Sequence, residues 1–200
     1  MKLLHNHRRA AAVVSVLMCV VLLLSGCGGK KRQAEFRELA ALLIQRADEV
    51  CSDIYLGGGL SATVPDDFVP DYGSPSYFPV DSERYTSVAS LKEAAEDVFL
   101  PSVAAQWLYP DAFGEVSGSD VAVVPLYREN EGVLEVNASY NGDTVYGTEW
   151  LYDTITVTEL NDETASITID TIYRDETENT VTLTFRHTEA GWRIAQPLYQ

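Results

Sequence analysis

Histidine, cysteine and basic residues are scarce in this 200-residue chain: 3 His, 3 Cys and 14 Lys plus Arg stand against 30 Asp plus Glu. The formal charge of -16 makes nucleic acid and bare anionic bilayer poor partners for the body of the protein. His5 and His7 lie at the extreme N-terminus, so beyond it His187 is left by itself, which excludes a site built from two or more His ligands of one chain. Gly-x-Ser-x-Gly, a Gly-rich phosphate loop and an Asp-x-Asp-x-Asp-Gly calcium loop are all missing. Carboxylates are so plentiful that a chance acidic pair carries no signal for hydrolysis. The expectation is a non-catalytic protein without metal or cofactor. What is present is an ordinary globular composition, 46% hydrophobic and 22% charged, which excludes a disordered chain, a coiled coil and a multi-span membrane protein.

The N-terminus is of a different kind. Lys2, Arg8 and Arg9 precede Ala10 to Leu24, apolar except for Ser15. That run is shorter than the roughly 20 residues a transmembrane helix needs, and has the length and flanks of a secretory h-region. It closes in Leu24-Ser25-Gly26-Cys27, which resembles the lipobox of bacterial lipoproteins. The resemblance implies a diacylglyceryl thioether on Cys27 and cleavage before it. Residues 1–26 then form a signal peptide, 27–33 a lipidated Cys with a short basic tether, and 34–200 a single α+β domain. The implied location is extracytoplasmic, lipid-anchored to the outer face of the cell membrane. An extended tether reaches only about 20 Å, and Lys30, Lys31 and Arg32 would lie among anionic headgroups at about 1 kcal/mol each. With Cys19 removed and Cys27 acylated, Cys51 has no partner for an internal disulfide. A small buried thiol is the plain reading of Cys51; a Cys51–His187 nucleophile pair is the sharper one.

Residues 34 to 56 predict one helix, with Phe36, Ala40, Leu43, Ala47, Val50 and Ile54 along one stripe and Gly57-Gly58-Gly59 as its stop. Residues 57 to 88 predict a long loop. Pro65, Pro70, Pro75 and Pro79 forbid a helix or central strand there, while Phe68, Tyr72, Tyr77, Phe78 and Tyr85 interleave with Asp66, Asp67, Asp71, Asp81 and Glu83. Ser90 with Glu93 predicts a capping box opening a second helix whose buried side is Leu91, Ala94, Ala95 and Val98. Pro101 predicts the first turn of a short helix through Trp107 and Leu108, ended by Pro110. Beyond Val121 the pattern is strand, with turns at Glu129-Asn130-Glu131-Gly132 and Asn141-Gly142. Ile155 and Val157, then Ala165, Ile167, Ile169 and Tyr173, then Val181, Leu183 and Phe185 alternate with polar neighbours, and Trp192 with Ile194 closes the chain. The fold class is α+β: N-terminal helices packed on a curved antiparallel sheet.

Helices followed by a meander that ends in Gly191-Trp192-Arg193-Ile194 resemble a nuclear-transport-factor-like or cystatin-like curved sheet. Over most of residues 40 to 195 the chain also resembles the IseA-type D,L-endopeptidase inhibitors of Gram-positive bacteria and their lipoprotein relatives. The carrying residues are Ile54-Tyr55-Leu56-Gly57-Gly58-Gly59; Tyr77-Phe78-Pro79-Val80-Asp81 with Tyr85; Leu91-Lys92 leading to Val98-Phe99; and the closing Gly191 to Ile194. The lipid anchor and the strongly acidic charge are this chain's departures. The resemblance implies a non-catalytic protein that blocks a papain-like Cys–His peptidoglycan endopeptidase; a monomer is expected. Asp66, Asp67, Asp71, Tyr72 and Tyr77 are the candidate partner-binding residues, since acidic residues steer toward a basic cleft and rigid aromatics anchor interfaces. The alternative is a small-ligand module whose cone holds an apolar ligand against Tyr173, His187 and Trp192. An enzyme on that same pocket is a third reading.

Overall fold

The computed structural model describes residues 29–71, 73–114, 124–140, 147–173 and 178–199. The signal segment, Cys27, Tyr72 and the Asn141-Gly142 turn lie outside the described residues. Among the described residues, no helix is long and apolar enough to cross a membrane.

Helix α1 runs Gly29–Val50 and buries the expected stripe, together with Ile44. It begins five residues earlier than the apolar period suggests, so the basic residues taken as a tether are helical. Arg32 donates to Asp162 at 2.5 Å and Lys31 lies 3.7 Å from Glu35 one turn on. A π-turn, Cys51–Tyr55, extends the helix, closed by Leu56 N–H donating to the Cys51 carbonyl at 2.8 Å. The wider turn buries Ile54 and Tyr55 side by side. The Tyr55 hydroxyl then donates to the Leu91 carbonyl at 2.6 Å.

Helix α2, Val88–Glu96, opens at Ser87 rather than Ser90. Ser87 Oγ accepts from Ser90 N–H, and Ser90 Oγ accepts from Ser87 N–H, so a second serine performs the return bond expected of Glu93. Helix α3, Pro101–Trp107, has Pro at its first turn as expected. Pro110 does not stop the chain: it sits in the first turn of α4, Tyr109–Phe113, which ends on left-handed Gly114.

Two antiparallel sheets follow. One is three-stranded, in the order β1 (Tyr77–Pro79), β3 (Val133–Asn137), β2 (Tyr127–Asn130). Strand β1 therefore lies inside the segment read as pure loop, and as an edge strand it tolerates Pro79. The other is a meander of β4 (Glu149–Leu160), β5 (Thr164–Ile172), β6 (Glu178–Thr188) and β7 (Gly191–Ile194). Its β5 buries Ala165, Ile167, Ile169 and Thr171 in strict alternation. Irregular register between Leu151 and Thr156, and again between Val157 and Glu159, bends β4. Thr154 fills the first bulge: its hydroxyl donates to the Leu151 carbonyl at 2.7 Å and accepts from Asp170 N–H at 2.9 Å. The outer edge of β7 is closed by residues 98–100, with Ile194 N–H donating to Val98 O and Leu100 N–H to Ile194 O.

One apolar core joins these elements, from Phe36 to Leu198. The fold is α+β, as the patterning implies.

The β2–β3 hairpin turns on Glu131-Gly132, with φ of 51° and 81°. Two positive values mark a two-residue turn that favours Asn-Gly. A Glu at the first position is strained, so Glu131→Asn is expected to stabilise the fold by about 0.5–1 kcal/mol. Urea titration checks this; an unchanged midpoint would place the strain elsewhere.

Candidate functional site

The segment after α1 is an anchored loop. Gly59 has φ +80°, and a Cβ there would come within 2.5 Å of the Tyr127 hydroxyl. That buried hydroxyl accepts from Leu60 N–H and donates to the Ile54 carbonyl, both at 2.6 Å, which clamps the helix exit to β2. Ala62 then bridges Val80, and Asp81 N–H donates to Ser61 O at 2.9 Å, so residues 61 and 81 close the loop at its base. Inside it, Phe68 packs edge-on against Phe78 with centroids 5.0 Å apart. Asn137, buried on β3, accepts from Ser76 N–H at 3.0 Å and Ser139 N–H at 3.1 Å.

Asp66, Asp67 and Asp71 all lie on the outer run of this loop and are exposed. Asp71 Oδ1 accepts from Gly73 N–H at 2.9 Å, an Asx turn that fixes its direction. Tyr72 is outside the described residues. Tyr77 is on the edge strand and already engaged: its hydroxyl donates to the Pro125 carbonyl at 2.7 Å, and the Arg128 guanidinium lies 4.0 Å over its ring. Burial pushes the Tyr77 phenol up, with Arg128 opposing. Two residues that sequence reasoning passed over complete the surface. Val69 is 80% exposed and Val64 is 38% exposed, two apolar residues on the same stretch of chain as the three carboxylates. Each precedes a proline, in a stretch with neither helical nor strand period, so no buried face exists for it.

The residues expected to share a pocket do not meet. Tyr173 follows the far end of β5, whereas His187 and Trp192 pair across β6 and β7 next to the β4–β5 turn. The strand length between them is about 30 Å. His187 is exposed and lies 5.0 Å from the Trp192 ring, whose other neighbour is Phe36 at 4.9 Å. Trp192 is core. Cys51 is fully buried about 22 Å further along α1 than Phe36, so it does not face His187. Burial, with Asp48 in addition, raises its thiol pKa, the opposite of an activated nucleophile.

Tyr173 does line a cavity of about 480 Å³ at the mouth of the sheet, with Trp150, Thr171, Asn179, Leu198 and Tyr199 among its walls; among the described residues that line it, none is charged. Among the described residues, Trp150 Nε1 is buried without a hydrogen-bond partner, and the Trp150 ring lies 6.3 Å from that of Tyr199. The Tyr199 hydroxyl donates to the Asp48 carboxylate. Burial raises the Tyr199 phenol, and Asp48 adds to the rise. A wider groove of about 790 Å³ lies between α2 and the β6–β7 turn, with Lys92, Glu93, Glu96, Glu189 and Arg193 on its walls. Among the described residues, no group of His, Cys, Asp and Glu is arranged to hold a metal ion.

Comparison with protein-family models and with curated proteins finds no match.

Proposed function

We propose that this chain is a non-catalytic, extracytoplasmic lipoprotein, anchored through Cys27, that docks on a basic protein partner through the 61–80 loop. The carrying observation is Val69, 80% exposed between Asp67 and Asp71 in sequence, on a loop packed onto β1 through the Phe68–Phe78 contact. An apolar tip inside an acidic rim suits a partner with a basic cleft: the carboxylates steer approach, and the desolvated tip sets residence time. The resemblance to IseA-type inhibitors names the partner class, a peptidoglycan D,L-endopeptidase whose cleft the loop blocks. Tyr77 supports the loop from beneath, so Asp66, Asp67, Asp71 and Val69 are the contact residues.

The test is inhibition and binding kinetics on purified D,L-endopeptidases. Joint Asp66→Asn, Asp67→Asn and Asp71→Asn substitution is expected to slow association about tenfold at low salt and to flatten its salt dependence. Val69→Ser is expected to speed dissociation about fivefold. Stability should stay within about 0.5 kcal/mol in both variants, since these side chains are exposed. Failure of the unaltered protein to inhibit several such enzymes removes the inhibitor reading.

The cavity beside Tyr173, whose described walls carry no charged side chain, favours a second reading, a small-ligand module. Saturable binding of a small neutral molecule, lost in Tyr173→Ala and unaffected by the loop variants, would favour it over a 1:1 protein complex.

A further inference from the structure

Resting on the Cys27 anchor just proposed, we infer that the domain stands end-on on the bilayer, with the β4–β5 and β6–β7 turns against the headgroups and the acidic loop held far out on α1. Gly29, the first residue of α1, is two residues from Cys27. Two residues span at most about 7 Å, so an acylated Cys27 brings the start of α1 down to the membrane surface. A helix that begins there cannot act as a free leash.

The start of α1 is fastened to one end of the meander. Arg32 bonds Asp162 in the β4–β5 turn, and Glu163 of the same turn accepts from His187 N–H at 2.8 Å. Phe36, on the next turn of α1, packs on Phe185 and Trp192. The anchored end therefore comprises residues 161–163, His187 and the turn after it. From Gly29 to Val50 the helix spans 22 residues, about 33 Å. Its far end carries the 57–81 loop, clamped by Tyr127 to Ile54 and Leu60.

Charge is arranged in the same sense. Lys30, Lys31, Arg32 and Arg186 lie at the anchored end and offset all but one of the carboxylates of Glu35, Glu159, Asp162, Glu163 and Glu189 there. The far loop carries Asp66, Asp67 and Asp71 with no basic residue between Leu60 and Glu83. An anionic leaflet repels that loop and accepts the other end, within a screening length of about 8–10 Å. The partner is then met some 30 Å above the bilayer, at a depth set by α1.

The experiment uses the full chain, extracted from membranes with its native modification and reconstituted in phosphatidylcholine–phosphatidylglycerol vesicles. Glu163→Cys and Asp67→Cys, both at exposed positions, each carry an environment-sensitive fluorophore; Cys51 is buried and stays unlabelled. Quenching by headgroup spin-labelled lipid is expected to be several-fold stronger at residue 163 than at residue 67. Equal quenching, or stronger quenching at residue 67, overturns the orientation. The mass of the N-terminal peptide is read on the same sample. A peptide without diacylglycerol overturns the anchor reading and the orientation with it, whereas a lipidated peptide with equal quenching overturns the orientation alone.

Discussion

Cys27→Ala is expected to abolish incorporation of radioactive palmitate completely and to leave the leader uncut, so that the chain migrates as the longer precursor. The expected effect is all-or-none because, on the proposed anchor, the lipid supplies nearly all of the membrane affinity. Two acyl chains hold a protein stably, each buried methylene contributing about 0.8 kcal/mol. The remaining attraction is weak: Lys30, Lys31 and Arg32 offer at most about 1 kcal/mol each, and Arg32 is bonded to Asp162 while Lys31 faces Glu35. Without residues 1–27, which carry three basic and no acidic residues, the formal charge is -19, and that leaves an affinity no better than millimolar. A fragment beginning at Gly28 should therefore stay in the supernatant when anionic vesicles are sedimented. Label retained by the Ala variant would sink the assignment of Cys27.

Periodicity made the core legible. The α1 stripe from Phe36 to Ile54 and the alternation along β5 both depend on one residue's parity, and both are buried as patterned. Element starts were less legible because the competing signals are local and equivalent. Ser87-x-x-Ser90 and Ser90-x-x-Glu93 both fit a helix start, and Ser90 turns out to serve as the third residue of the earlier cap. Pro110 suits a stop and a first turn equally; the left-handed Gly114 four residues on shows which prevails. For the candidate site, prolines and carboxylates marked residues 57–88 as a loop; Asp66, Asp67 and Asp71 are exposed there, whereas Phe68 packs on Phe78 and Tyr77–Pro79 form an edge strand. Prolines and carboxylates could not show that Tyr77 is covered, because Arg128 reaches it from fifty residues away across the β1–β3–β2 sheet. Parity likewise placed Tyr173 and Trp192 on the inner face but said nothing of position along a strand, which is why the two stand at opposite ends.

Arg193→Met is expected to lower stability by about 3 kcal/mol, which for a domain of this size is a fall in Tm of roughly 6–12 °C. By parity Arg193 should point away from the core that Trp192 and Ile194 enter, yet it is 7% exposed because the end of α2 covers it. Its Nε donates to the Glu96 carbonyl at 2.7 Å, and Nη1 donates to Ala190 O at 3.2 Å and Trp192 O at 3.0 Å. One guanidinium thus ties the C-terminus of α2 to the β6–β7 turn. Burial pulls its pKa down and Asp97, 3.9 Å from Nη2, pushes it back, so the group stays cationic. Met keeps the stem but leaves three carbonyls without their donor, and a bond to a charged donor is worth about 1.5–3 kcal/mol. Arg193→Lys should recover less than half of the loss, since a single ammonium cannot reproduce the fork that reaches both elements. Asp97→Asn should cost less than about 1 kcal/mol, because that side chain is half-exposed and too distant for a direct hydrogen bond. Thermal melts of the three variants test the ranking. A Met variant that melts within a degree or two of the parent would mean that water replaces the guanidinium, and that α2 and β7 hold together through Val98, Phe99 and Ile194 alone.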